Sequence, residues 1–398
     1  MKNFIFISPN FPANYWMFCR ELKKNGLNVL GIGDQPYDEL SNDLKESLNE
    51  YYKVSNLENS DEVYRAVAFL TYKHGRIDWL ESNNEYWLER DAKLRTDFNI
   101  NSGFKAEDIP RIKFKSKMKE YYAKTGIPTA RYHMVDNLEN CLEFAAKVGY
   151  PVVAKPDNGV GASHTFKITD EEFMKEFFKL KWPDTTYIME EYVNGEVNSY
   201  DAIIDSKGEP MFETGNVTPM SIMDIVNNSD NSIFYILKNL PEDTRAAGRA
   251  TVKSFGVKSR FVHFEFFRLL KDQEGLGKKG DLVALEVNMR PSGGVTPDMI
   301  DFAHSTDVYK IWADMIAFDR STMAVGDHAY CAFAGRRDGK DFAMSHGDIM
   351  EKYGHQMKMM ERIPDVLSGA MGNQMYVAVF ESQEEMDAFY EDILKCNE

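Results

Sequence analysis

Apolar residues in this chain fall into short runs and helical spacings that alternate along its first hundred positions. Residues 4–8 are expected to form a short buried strand. Tyr15, Cys19 and Leu22 share one face of a helix expected over 14–25, with Gly26 as its stop. A second strand is expected over 28–33, a helix over 61–73 and a further strand over 77–81. This order predicts a small parallel sheet with helices on its faces. Further along, helices are expected over 115–125 and 138–147, the latter stopping at Gly149. A strand over 151–155 then leads into a Gly-rich loop, 156–164. A strand (165–168), a helix (171–180) and a strand (186–193) follow. Segments 198–210 and 211–217 predict a hairpin around 206–208. Segment 220–240 has no clear pattern, and its polar part, 227–232, reads as a mobile loop. A helix over 242–255 stops at Gly256. Strands over 260–270 and 282–290 flank a Gly/Lys-rich turn and predict an antiparallel pair. Helices over 297–303 and 308–316 come next. From 327 the pattern is that of a small α+β region ending in a strand (374–380) and an amphipathic helix (384–394).

The strand at 282–290 carries an unusual pattern. Side chains alternate along a strand, so Leu285, Val287 and Met289 are expected to face a core. Glu286, Asn288 and Arg290 then share the opposite face. Charge buried without a partner costs several kcal/mol, so the pattern calls for an ion or a highly charged ligand. In the neighbouring strand His263 and Glu265 also share a face. If the two faces meet, two carboxylates and an amide oxygen converge, a donor set that suits Mg²⁺. Taken singly, Glu265 is more often a solvated edge residue and Glu286 a partner for Arg290. Together, inside apolar strands, they read as metal ligands.

Charge and composition narrow the function classes. The chain has 398 residues, enough for two or three domains. Its net charge of −16 leaves no basic excess for a nucleic-acid backbone. Four scattered cysteines, Cys19, Cys141, Cys331 and Cys396, show no zinc or disulfide spacing, as in a reduced compartment. The N-terminal apolar run is too short for a signal peptide, and no stretch approaches the ~20 residues of a membrane span. A cytoplasmic protein without membrane or nucleic-acid partners is expected. The turn after the first strand, Ser8 to Pro12, is no GxGxxG, so dinucleotide binding is not expected.

Other segments carry weaker signals. Lys155 ends an apolar strand before glycines whose backbone N–H groups could cradle phosphates. The loop is not a P-loop, however, and alone it reads more simply as an ordinary turn with a snorkelling lysine. Ser163 and His164 are candidate phosphate contacts, His164 equally a plain loop histidine. Residues 187–196 form an apolar strand with an acidic end. Such a strand can offer an adenine slot and a ribose acceptor, or be an edge strand with a solvated end.

The order of these pieces is more specific than any one of them. Lys115 stands eleven residues before Gly126-Ile-Pro-Thr-Ala130. Then come Val152-Val-Ala-Lys155-Pro156, Ile188-Met-Glu-Glu-Tyr-Val-Asn-Gly-Glu196, His263-Phe-Glu-Phe-Phe267 and Leu285-Glu-Val-Asn-Met-Arg-Pro-Ser-Gly-Gly294. The set resembles the ATP-grasp superfamily, and within it the carboxylate–amine ligases such as L-amino-acid ligases and carbamoyl-phosphate-synthase-like proteins. The resemblance implies a mixed α/β and α+β fold. A Rossmann-like pre-ATP-grasp domain (1–104) would precede a two-lobed ATP-grasp domain (105–326) and a small C-terminal α+β region (327–398).

The resemblance also implies ATP and two Mg²⁺ ions, with Mn²⁺ as a substitute. Lys115 and Lys155 would contact the phosphates, under a lid of 157–163 that includes Gly159, Gly161 and Ser163. Segment 220–232 is a second candidate lid. Glu190 to Val193 would be the hinge, with backbone atoms of Glu191 and Val193 reading adenine. Glu265, Glu286 and Asn288 would hold the metal, and Arg290 would face the transferring phosphoryl group or the substrate carboxylate. The backbone of Ser292 to Gly294 would add donors. His263 stands where relatives carry a basic residue, facing phosphate or simply packed. Relatives place the ribose glutamate two residues after the glycine; here that position is Val197, and the acid is Glu196.

The implied reaction activates a small carboxylate, an amino acid being favoured, as an acyl phosphate that an amine then attacks. Arg290 and Lys155 would serve the chemistry, and Met220, Ile222, Met223 and Ile225 would border the substrate pocket. A biotin-type carboxylase and a catalytically silent nucleotide-binding regulator are the alternatives. Met357-Lys358-Met359 spells the biotin-carrier tripeptide, but without hairpin signals. The sequence does not give the oligomeric state. A homodimer is the common arrangement.

Overall fold

The computed structural model describes residues 1–159, 164–219 and 230–397. The expectations for Gly161, Ser163, Met220, Ile222, Met223 and Ile225 lie outside these residues.

The first sheet is parallel: β1 (Asn3–Ile7), β2 (Asn28–Gly33), β3 (Glu50–Lys53) and β4 (Trp79–Glu81), in the order β3-β2-β1-β4. Past their opening asparagines, Asn3 and Asn28, its middle strands are apolar because both faces are covered. Ile5, Ile7, Leu30 and Ile32 pack on Val63, Ala66, Val67 and Leu70 of helix Ser60–His74. Asn59 caps that helix by accepting from the N–H groups of Asp61 and Glu62, and Gly75 ends it at φ +85°. Phe4 and Phe6 face the other way, onto Phe18 of helix Trp16–Lys24 and Trp312 of helix Val308–Phe318. The Trp312 ring meets Phe18 edge-on at 4.9 Å between centroids. One continuous core therefore ties the N-terminal sheet to helices that follow the strand with the acidic face.

The second sheet is β5 (Tyr132–Met134), β6 (Val152–Pro156), β7 (Phe166–Ile168) and β8 (Tyr187–Glu191), antiparallel in the order β5-β8-β6-β7. Helices Leu138–Val148 and Glu171–Leu180 cover one face, with Cys141, Ala145, Met174 and Phe177 packed on Val152, Ala154 and Met189.

The third sheet has nine strands: β9 (Gly195–Ile204), β10 (Pro210–Thr214), β11 (Asn216–Thr218), β12 (Ser232–Ile236), β13 (Arg260–Leu269), β14 (Leu282–Asn288), β15 (Tyr330–Arg336), β16 (Met357–Arg362) and β17 (Gln374–Phe380). Its main path runs β14-β13-β9-β11-β12-β15-β17-β16, and β10 pairs with β9 as the expected hairpin. Helix Glu242–Phe255 lies across β9 and β13. It approaches so closely that a Cβ on Gly248 would lie 2.1 Å from the Tyr200 ring, so only glycine fits. The sheet also crosses residue 326, because β12 pairs with β15. The C-terminal strands thus extend the same sheet as the strands around the acidic face.

The expected β13–β14 pair is antiparallel. Simple alternation along β14 does not hold throughout. The register shifts between Glu265 and Phe266: Glu265 faces Glu286, but Phe266 faces Ala284. Leu285 is the extra residue of a β-bulge. It therefore lines a cleft, while Ala284, Val287 and Met289 fill the core.

Candidate active site

A cavity of about 370 Å³ opens between the second sheet and the β13–β14 end of the third. It is lined by Lys115, Lys155, Gly159, Glu190, Glu191, Val193, Glu265, Glu286, Asn288 and Arg290. Segments far apart in sequence thus supply one site. Glu196 does not line it. Gly195 and Val197 do, and alternation along β9 turns Glu196 to the other face, where its charge acts on Tyr235. The motif position counted from the glycine is Val197, which lines the cleft; Glu196, the acid one residue before it, does not. His164 packs on Trp182, with ring centroids 3.5 Å apart, and is absent from the lining.

Lys115 is the first residue of helix Lys115–Tyr122. Its Nζ donates to the Gly159 carbonyl at 2.9 Å and lies 3.5 Å from Glu286. Asp157 fixes this helix start to the Gly-rich loop. Its carboxylate accepts from the Ser116 N–H at 2.7 Å and from the Ser116 hydroxyl at 2.8 Å.

Lys155 pairs with Glu190 at 2.7 Å, and Lys119 pairs with the other oxygen of that carboxylate at 2.6 Å. Burial pushes the Glu190 carboxyl up, but the two ammonium groups outweigh it and hold it down at about 2. Burial alone would lower the Lys155 pKa; Glu190, Glu286 and Glu265 raise it instead, so the lysine stays charged. Lys119 was not anticipated, although its position one turn after Lys115 puts both on one helix face.

Glu191 turns its carboxylate to Arg131, accepting from the guanidinium at 2.7 Å and the backbone N–H at 2.6 Å. Gln273, also unanticipated, clamps the segment that follows. It accepts from the Asn194 N–H at 3.1 Å and donates to the Tyr192 carbonyl at 2.8 Å. Val193 sits with Ala130, Leu269, Leu276 and Val283 against Phe267, which makes this end of the cleft apolar.

At the opposite end the carboxylates of Glu265 and Glu286 face each other across the ladder, and His263 faces Asn288. His263 bridges Asp201 at 2.8 Å and Glu265 at 3.0 Å. Burial disfavours its charge, yet Asp201 and Glu265 raise its pKa to about 10, so it is an imidazolium donating through both nitrogens. Asp201 is itself held by Ser199 and by Asn216 at 3.4 Å. Burial raises the Glu286 pKa, but Lys115, Lys155 and Arg290 bring it below the ordinary range. Two carboxylates and the Asn288 amide oxygen on adjoining strands form a hard-oxygen donor set that fits Mg²⁺. The Asn288 oxygen also accepts from Arg290 at 3.2 Å. Glu85, which sequence reasoning missed, reaches the cleft from the segment after β4. Its Oε2 lies 3.7 Å from Arg290 Nε.

Residues 110–195 match the family model described as carbamoyl-phosphate synthase L chain, ATP binding domain. The chain is 23% identical over 248 residues to the L-arginine-specific L-amino acid ligase of Bacillus subtilis. That alignment covers 60% of this chain and 57% of the relative, little more than half its length. The structure of an L-amino acid ligase from Bacillus licheniformis matches with a TM-score of 0.71 at 16% identity, covering 100% of this chain and 99% of that one. The biotin carboxylase domain of Hydrogenobacter thermophilus 2-oxoglutarate carboxylase, a dimer in complex with MgADP, ADP and bicarbonate, matches with a TM-score of 0.68 at 15% identity. It covers 98% of this chain and 90% of that chain.

Proposed function

We propose that this chain, which has the ATP-grasp fold, is an ATP-dependent ligase that joins a small carboxylic acid to an amine. The observation that carries the reading is the meeting of Lys115, Lys155, Glu265, Glu286, Asn288 and Arg290 in one cleft. Cations at one wall and paired oxygen donors at the other are what a nucleotide triphosphate with its metal requires.

In this reading Val193, Phe267 and Leu285 give adenine an apolar slot, and the Gln273 clamp holds the backbone beside it. Lys115 and Lys155 neutralise phosphate oxygens; Glu190 keeps Lys155 charged and in place until the nucleotide arrives. Glu265, Glu286 and Asn288 would hold Mg²⁺, which would supply charge neutralisation for the transferring phosphoryl group. His263 keeps the Glu265 carboxylate oriented. Arg290 positions the substrate carboxylate, whose oxygen attacks the γ-phosphorus and forms an acyl phosphate. The amine then displaces phosphate. Positioning and electrostatics carry the catalysis, and no side chain becomes covalently attached. An amino acid is the favoured carboxylate.

The chain divides in this reading into a pre-ATP-grasp unit (1–104), an ATP-grasp unit (105–326) and a C-terminal region (327–398) that completes the large sheet. A biotin carrier role gains no support from Met357-Lys358-Met359, which lies inside strand β16.

The test is ADP release from Mg²⁺-ATP with pooled amino acids and small acids, with and without hydroxylamine. ADP release that depends on one pool, with a hydroxamate formed from it, is the expected result. ADP release with no hydroxamate from any pool would contradict the ligase chemistry.

A further inference from the structure

Among the described residues, five carboxylates line the cleft: Glu85, Glu190, Glu191, Glu265 and Glu286. Four are engaged by nearby cations. Glu190 holds two lysines, Glu191 holds Arg131, Glu265 holds His263, and Glu286 faces Lys115. Glu85 also faces a cation, Arg290 Nε at 3.7 Å, but it differs in that its Oε2 is buried and accepts no hydrogen bond. A buried acceptor left open costs stability, so its retention in a cleft points to a ligand that donates there. Outside the cleft lining, two other side chains of the N-terminal unit also have open buried atoms. Asn83, two residues earlier, has a buried Nδ2 without a partner, and Asn14, which donates to the Gly294 carbonyl at 3.2 Å, has an open Oδ1. Glu85 enters from the N-terminal sheet, whereas Glu265 and Glu286 lie on β13 and β14. It therefore reaches the cleft beside Arg290, with Glu286 also facing it.

Resting on the ligase reading, we infer that Glu85 is the base that takes the proton from the attacking amine. An amine arrives largely as an ammonium near neutral pH and has no lone pair to offer. One N–H proton passes to Glu85 Oε2. The freed lone pair attacks the carbonyl carbon of the acyl phosphate, a C–N bond forms, and the C–O bond to phosphate breaks with release of inorganic phosphate. The second nitrogen proton passes to the departing phosphate oxygen as the amide forms. The charged groups facing Glu85 are Arg290, Glu286, Lys113 and Lys115. Burial pushes its carboxyl above the ordinary range, opposed by Arg290 and the two lysines and helped by Glu286, a direction that makes it a stronger base than an ordinary carboxylate.

The test compares two nucleophiles on Glu85→Gln, with the pooled amino acids serving as both acid and amine. Hydroxylamine is uncharged near neutral pH and needs no base, so hydroxamate formation reports activation alone. Amide formation needs both steps. The expected result is a fall of at least about 100-fold in amide formation relative to hydroxamate formation. The residual amide rate should climb about tenfold for each unit of pH toward the amine's own pKa, a slope the unaltered protein lacks. Glu85→Asp, which keeps a carboxylate, should recover part of the amide rate. Equal losses with both nucleophiles, or no loss with either, would overturn the inference and leave the ligase reading intact. Absence of any hydroxamate from the unaltered protein would overturn both.

Discussion

The bridge of Glu190 between Lys119 and Lys155 sets a measurable stability and a measurable pH dependence. The carboxylate is held at about 2 by two buried ammonium groups, against an ordinary value near 4.3 in an unfolded chain. At about 1.4 kcal/mol for each tenfold change in proton affinity, the bridge contributes about 3 kcal/mol at neutral pH. Removing one partner of a buried ion pair independently costs about 3–5 kcal/mol, which agrees. Glu190→Gln keeps the shape but turns an N–H₂ group toward an ammonium, so it should lose this amount. The sign is fixed by the depressed pKa. The stabilisation is complete above the unfolded value and is lost as pH falls through the window from about 4.3 to about 2. Urea unfolding of both proteins at pH 7 should show the gap of about 3 kcal/mol. At pH 3.5 the gap should have narrowed by about 1 kcal/mol. Equal stability at pH 7, or a gap that ignores pH, would refute the reasoning.

Three further outcomes follow from the geometry. Glu286→Ala should abolish Mg²⁺-ATP turnover by at least about 100-fold while circular dichroism shows the same fold, because the cleft loses one of two facing carboxylates. Gly248→Ala should cost about 1–3 kcal/mol in urea unfolding, since the added methyl meets the Tyr200 ring at 2.1 Å. Glu196→Ala should leave the KM for ATP within about twofold, because that side chain faces away from the cleft; a rise of about tenfold would restore it as a ribose ligand.

Much of the fold was legible where periodicity and a stop signal coincide. Helix Glu242–Phe255, with an apolar stripe and Gly256 at φ +64°, matches the expected 242–255, and Glu171–Leu180 matches 171–180. Strand β15 escaped notice because Cys331, Ala332, Ala334 and Gly335 carry little strand propensity. Without it, the C-terminal region looked separate from the sheet it extends. The bulge at Leu285 was also out of reach, since register belongs to a pair of strands and not to one. In the site, the paired acids and Lys115 showed themselves through charge inside apolar strands and through motif order. Glu85, Asp201 and Gln273 had no such mark. Each faces residues from another part of the chain: Arg290, His263, and Tyr192 with Asn194. Glu196 misled because it is the acid one residue short of the motif position, and the alternation of β9 turns it away from the cleft while Val197 lines it.

The most direct test of the central claim is isotope transfer. A carboxylic acid that supports ADP release, labelled with oxygen-18 in its carboxylate, would be incubated with the protein, Mg²⁺-ATP and the amine, and the phosphate product weighed by mass spectrometry. Carboxylate activation as an acyl phosphate requires one labelled oxygen to leave with the phosphate. Phosphate carrying one heavy oxygen for each amide formed is the expected result; unlabelled phosphate accompanying amide formation would contradict the account.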